Sequence, residues 1–205
     1  MSATIIQDLT ENSLTIQAIS KAMRVEFHDP SGVSNAVKRT YCAATGSGVG
    51  VQAVTNPFFI FEGSATQTIH VQRIRVTGAV IGTIAYNSIN LSKHSAVSTG
   101  GTAVVLTQVP VDANDTAATA SKCSVFTGAP SAGALVGVVA SARLLLQSST
   151  AAAGGRIEKV VFDYRLSGES NPLILRGVAQ GISLSFAAAP AGPVDLGVEI
   201  MWTEE

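Results

Sequence analysis

The sequence predicts an all-β protein: an antiparallel β-sandwich or jelly roll of about eight strands, preceded by an N-terminal arm. Three observations predict it. Apolar and polar residues alternate with period 2 near the C-terminus, which puts one set of side chains in a core and the other outside it. Clusters of Gly, Pro, Asn, Asp and Ser separate the apolar runs at the spacing of sandwich turns. The 205-residue length suits one large sandwich, or a domain carrying an extended arm. The division expected is residues 1–50 as arm and linker and residues 51–205 as sandwich.

Taken in order, residues 1–19 hold Ile5, Ile6, Leu9, Leu14, Ile16 and Ile19 without a clean period. Apolar residues that no single face can bury are candidates for contact with another chain, so these six are the expected interaction residues. Met23, Val25 and Phe27 then alternate with Arg24, Glu26 and His28, a strand that ends at Asp29-Pro30-Ser31-Gly32. Val33–Tyr41 is placed to pair back on it as a hairpin. Gly46-Ser47-Gly48-Val49-Gly50 reads as a flexible hinge between arm and sandwich.

Asn56–Gly63 holds three of the seven phenylalanines, Phe58, Phe59 and Phe61, and predicts a strand packed on both faces. Over Thr68–Thr77 the phase slips: Ile69 and Val71 share one parity, Ile74 and Val76 the other. A β-bulge near Gln72-Arg73 reconciles them. Val80–Leu91 predicts a third strand, broken near Gly82. Residues 92–133 are irregular, with short strands expected at Ala103–Val109 and Ser121–Thr127 and an Ala-rich helix at Ala113–Lys122. Leu135–Gln147 is a strand rather than a helix, because Val136, Val138 and Val139 lead it and Gly137 interrupts it. A loop at Ser148–Gly155, a strand at Arg156–Leu166 and a turn at Ser167–Pro172 follow. Leu173–Ala179 leads into a closing pair of strands. In the first, Ile182, Leu184 and Phe186 alternate with serines; in the second, Val194, Leu196, Val198, Ile200 and Trp202 share one face.

Composition narrows the function classes. Charged residues are 13% of the chain, against about 25% in an average soluble domain. Such a surface either exposes small neutral residues or is hidden against a neighbour, and the second reading is preferred here. A net charge of −1 supplies no basic field, so neither nucleic acid nor anionic lipid is an expected partner. The N-terminus lacks the pattern of a secretory signal. The longest apolar run, Ala134–Leu146, contains Arg143 and falls short of the ~18 residues of a membrane span. Cys42 and Cys123 are expected as free thiols.

No catalytic, cofactor or metal residue is assigned. Gly46–Gly50 lacks the Lys-Ser/Thr of a phosphate loop. His28, His70 and His94 have no metal-ligand spacing. Asp112, Asn114 and Asp115 lack the later Gly and Glu of a calcium loop. A Gly-x-Ser-x-Gly elbow is absent. An enzyme is therefore not expected.

Asn56-Pro57-Phe58-Phe59-Ile60-Phe61-Glu62-Gly63-Ser64-Ala65-Thr66, followed by Ile69-His70-Val71-Gln72-Arg73-Ile74-Arg75-Val76-Thr77-Gly78, resembles a tailed-bacteriophage virion protein. Leu175-Arg176-Gly177 and the terminal Glu199–Glu205 share the likeness, which spans residues 56–205. Proteins of this kind are similar to auxiliary capsid proteins, also called decoration or cement proteins, with a jelly-roll sandwich. These are scaffold motifs, so no functional residue carries over. The resemblance implies a virion protein on the capsid surface, assembled in the host cytoplasm. Its implied partners are the major capsid protein and itself, as a homotrimer or homodimer. The alternative is a jelly-roll head or tail fibre domain that binds a host glycan. An aromatic content of 5%, with one Trp and three Tyr, argues against it, because sugar platforms use Trp and Tyr faces.

Overall fold

The computed structural model describes residues 6–7, 13–19, 22–27, 38–80, 84–148, 158–164 and 173–205. The chain divides into two compact units, Met1–Lys38 and Arg39–Glu205. The first contains a three-stranded antiparallel sheet in chain order: β1 (Ile6–Gln7), β2 (Ser13–Ile19) and β3 (Ala22–Phe27). β2 and β3 form a hairpin with Leu14 opposite Phe27 and Ile19 opposite Ala22. The described partner of β3 is thus β2; residues 33–37 of the hairpin expected from sequence lie outside the described residues.

The second unit is all-β, with no helix among the described residues. Its strands are β4 (Arg39–Ala44), β5 (Val49–Val51), β6 (Phe59–Glu62), β7 (Thr68–Val80), β8 (Ala85–His94), β9 (Ala103–Val105) and β10 (Val109–Pro110). They continue with β11 (Lys122–Phe126), β12 (Leu135–Ser148), β13 (Lys159–Asp163), β14 (Leu173–Arg176), β15 (Gly181–Phe186) and β16 (Val194–Glu204). All thirteen join one sheet in the order β10-β4-β16-β7-β12-β8-β15-β6-β11-β9, with β5 added to β16 and β13 and β14 added to β7. The sheet curls into a half-barrel. It is mixed at one place: Gln147 and Ser148 of β12 run parallel to Ala79 and Val80 of β7. The excess over about eight strands comes from pieces such as β5, β9 and β10, which are too short to show a period in the sequence.

The curl closes on one apolar core. Val194, Leu196, Val198, Ile200 and Trp202 of β16 are buried in it, with Ile182, Leu184 and Phe186 of β15. Phe61 of β6 meets Trp202 with ring centroids 4.9 Å apart, and Tyr41 of β4 stacks on the same indole at 5.8 Å. Strands far apart in the sheet order are therefore packed face to face.

The expected bulge is present. Met201 opposes Arg73 and Trp202 opposes Val71, so Gln72 is the extra residue on β7. Its insertion returns both Val71 and Ile74 to the core. Other expectations need correction. β15 and β16 do not pair with each other: β15 lies between β6 and β8, and β16 lies among β4, β5 and β7. The Pro190–Pro193 segment carries the chain from one side of the curled sheet to the other. The Gly-rich stretch is not a free hinge either. β4 and β5 both pair with β16, and the Thr45 N–H donates to the Val198 carbonyl at 3.0 Å. Gly48 lies so close to Asp195 that a Cβ there would overlap the carboxylate. The compact unit accordingly begins at Arg39, ahead of the boundary expected near residue 50.

Ala113–Lys122 is a loop ending in the first residue of β11, and no helix forms. Asp112 closes an Asx turn on the Asn114 N–H at 2.9 Å, and Glu204 captures the Thr119 N–H at 3.0 Å. These bonds compete successfully with a short run of helix propensity. Ala103–Val109 is split into β9 and the start of β10, with Leu106 turned into the core between them. The break at Gly82 and the turns at residues 149–155 and 167–172 lie outside the described residues.

Candidate interaction surface

Among the long strands of the second unit, β12 has the most exposed residues. It pairs with β8 along its length, from Leu135 opposite His94 to Leu146 opposite Ala85. On its other side Gln147 and Ser148 pair with β7 and the Leu145 N–H donates to Glu158 Oε2 at 3.1 Å, so from Leu135 to Leu144 the described residues leave one strand edge open. Leu135 and Val136 are 61% and 62% exposed, Val138 55% and Val139 43%. Register shifts against β8 between Leu135 and Gly137, and between Val138 and Ala140, leave Val136 and Val139 without a partner. Those two bulges turn neighbouring apolar residues outwards together, instead of alternating them into the core. Nearer the open end of β8, Tyr86 is exposed, and the Arg143 guanidinium lies 5.2 Å from its ring centroid. A second, smaller exposed set, Val104 and Val105 of β9, lies at one end of the strand order, whereas β12 is in its middle.

Elsewhere single exposed apolar residues such as Ile84, Val97, Val111 and Val161 are interspersed with polar groups that pair with one another. Across β7 and β16, Glu199 accepts from Arg73 at 2.6 Å and also from Arg75, so the carboxylate is bracketed by two guanidinium groups. On the other arm of the sheet, the buried Glu62 and Ser98 and the half-buried Lys122 hold the loop after β8. Glu62 Oε1 accepts the Ser98 N–H at 2.6 Å, and Lys122 Nζ donates to the Ser98 carbonyl at 3.0 Å and its hydroxyl at 2.6 Å. His94 and Ser183 are both buried, with Nε2 and Oγ 2.8 Å apart. Burial lowers the His94 pKa below its usual 6.5, and the backbone of Gly133 pulls more weakly the other way. Pairing a buried Ser with a His is the start of a nucleophilic site, but no carboxylate orients this ring and its Nδ1 makes no well-formed hydrogen bond.

A groove of about 420 Å³ runs between the Gly46–Gly48 turn and the β16 strand, floored by Gly78 and Gly197 and rimmed by Arg75, Asp195 and Glu199. Among the described residues, no three His, Cys, Asp or Glu side chains are grouped to hold a metal ion. No described helix is long and apolar enough to cross a membrane. Cys42 and Cys123 are free thiols, Cys42 half-buried on β4 and Cys123 buried on β11. Burial pushes the Cys123 thiol up to about 12, which removes its nucleophilic form at neutral pH.

Of the six arm residues expected to make contacts, Ile6 lies in β1 opposite Leu14, and Leu14, Ile16 and Ile19 lie in β2. Ile5 and Leu9 lie outside the described residues. The open edge of β12 was not selected from sequence, although its signal was there: a largely apolar strand of 14 residues carrying a single charge, Arg143. Comparison with known proteins adds no relative: no protein-family model, no characterised protein and no solved structure matches the chain.

Proposed function

We propose that this protein is a structural virion component, a bacteriophage capsid decoration or cement protein that binds the outside of the shell and stabilises it across capsomer boundaries. Its partners in this reading are the major capsid protein and further copies of itself, as a trimer or dimer. Its fold is read as a jelly-roll variant in which the half-barrel supplies the two packed faces. Its action is mechanical rather than enzymatic: contacts that bridge neighbouring capsomers add interface free energy, which opposes expansion by packaged DNA.

One observation carries the reading. A chain with 13% charged residues leaves Leu135, Val136, Val138 and Val139 exposed together on an open strand edge. An exposed apolar edge is a liability for an isolated protein and a resource for one that works inside an assembly. The resemblance of residues 56–205 to phage virion proteins points the same way. The glycan-binding alternative has less to draw on. Trp202 is fully buried beneath Tyr41 and Phe61, and the exposed ring of Tyr86 is already faced by Arg143.

The test is co-sedimentation of the purified chain with shells that lack it, followed by thermal disruption of the shells. Saturable binding and a raised disruption temperature are expected. Binding to isolated tails or to a glycan array, with none to shells, replaces this reading with the fibre alternative.

A further inference from the structure

We propose that the open edge of β12 pairs antiparallel with the same edge of a second copy of the chain, so that two half-barrels share one continuous sheet. The edge presents a row of backbone N–H and C=O groups from Leu135 to Leu144 whose described side has no strand; beyond it the Leu145 N–H is taken by Glu158. Such a row is satisfied by water or by another extended chain, and apolar side chains flanking it favour the chain. Length selects which chain. The other open strands described in the unit are much shorter: β10 has two residues, β9 three, β14 four and β13 five, so none matches this edge. A second β12 does.

Charge agrees with a self-pair. Leu135–Ala142 carries no charge, and Arg143 is the one charged residue of the strand. With the two-fold axis at Val139, each Arg143 falls opposite a Leu135. The two guanidinium groups are then separated by about eight residue steps, roughly 27 Å at 3.4 Å per residue. That exceeds the screening length of about 8 Å at physiological salt, so the copies do not repel. Symmetry agrees as well. An isologous β12–β12 contact closes after two copies, whereas joining β12 to β9 head to tail leaves a free edge at each end and propagates. The paired edge alone lies at the small end of specific interfaces, which begin at about 1,200 Å² in total, so the dimer is expected to be concentration-dependent. Self-pairing is independent of attachment to a shell and is tested on the free protein.

The experiment is sedimentation equilibrium of the full chain at about 1–100 μM, the range in which a small interface dissociates. The expected result is a monomer–dimer equilibrium of the 21.0 kDa chain. Val138→Lys and, separately, Val136→Lys place a charge on exposed positions of the edge and are expected to weaken the dimer at least about tenfold, with the melting curve kept as a check on folding. Val105→Lys on β9 is expected to leave it unchanged. Oxidation of Val139→Cys in a Cys42→Ser background is expected to give a cross-linked dimer. A wild-type monomer throughout this range, a trimer, a dimer indifferent to both β12 lysines, or one broken by Val105→Lys overturns the proposal. So does a monomeric wild type that loses shell binding on Val138→Lys, since the edge then belongs to the shell protein.

Discussion

The indole Nε1 of Trp202 donates a hydrogen bond to Oε1 of Glu204 at 2.9 Å, two residues further along the same strand. Glu204 also accepts from the Thr119 N–H at 3.0 and 3.1 Å and from the Thr119 hydroxyl at 2.8 Å. A nearly buried carboxylate is thus supplied with donors from both the core and the loop that follows β10. One strand end ties together the aromatic centre and the long irregular connection.

Trp202→Ala is therefore expected to cost about 3–5 kcal/mol, from the cavity left between Tyr41 and Phe61. Trp202→Phe keeps much of the packing but removes a donor from Glu204, and should cost less. Glu204→Ala strands the Thr119 and Trp202 donors and is expected to cost about 1–3 kcal/mol. Urea unfolding of the three variants measures this. A loss below about 1 kcal/mol for Trp202→Ala, with a red-shifted indole emission in the wild type, contradicts the packing described.

The His94–Ser183 pair gives a pH dependence whose sign follows from burial. The folded protein holds His94 below its ordinary 6.5, so the unfolded chain binds the extra proton first as pH falls. Stability from this group is complete above about pH 6.5 and declines as pH falls from there through the lowered folded value. Urea midpoints at pH 7.5, 6.5 and 5.5 are expected to decrease in that order, with a smaller decrease in His94→Asn. An identical slope in the variant assigns the effect to other groups.

The two thiols should react at very different rates. Cys42 is half-buried and Cys123 is enclosed in the core, its thiol pushed up to about 12. Ellman's reagent is expected to label one thiol in the native protein, lost in Cys42→Ser, and two in denaturant. Two rapid equivalents in native protein contradict the burial of Cys123.

Much of the second unit was legible because burial and parity coincide. In β16 every second residue from Val194 to Trp202 is in the core, and the phase slip at Gln72 marks the bulge that the register shows. Pairing was less legible. Pro190–Pro193 separates two alternating strands, and nothing local says whether such a segment turns a hairpin or crosses between faces. The Gly46–Gly50 stretch read as a hinge because glycine suits both mobility and close approach; Gly48 serves the second, against Asp195. The open edge of β12 was hidden by composition, since valines on a free edge and valines in a core look alike. The polar pins at Glu62, Ser98 and Lys122 join residues 24 or more positions apart and carry no local signature.

Removing residues 1–38 starts the chain at Arg39, the first residue of β4, and spares every strand of the second unit. The truncated protein is expected to melt cooperatively while binding shells more weakly, because the arm is assigned to contacts and not to this core. Thermal melts and co-sedimentation separate the two effects. A folded truncation that binds as tightly as the full chain removes the arm from the account.

Attachment to shells is expected to survive high salt. The chain has 13 basic and 14 acidic residues, and Arg73, Arg75 and Glu199 are already paired with one another. Charged residues are only 13% of the chain, and salt strengthens apolar contacts while it screens ionic ones. Release from particles in about 1 M NaCl, where the screening length is near 3 Å, contradicts an apolar attachment.

The most direct measurement is a cryo-electron microscopy reconstruction of the intact particle assembled with this protein. The account predicts density matching the half-barrel on the outer surface of the shell, seated where capsomers meet. Density confined to the tail or fibres, or a shell whose outer surface has no place for the fold, contradicts it.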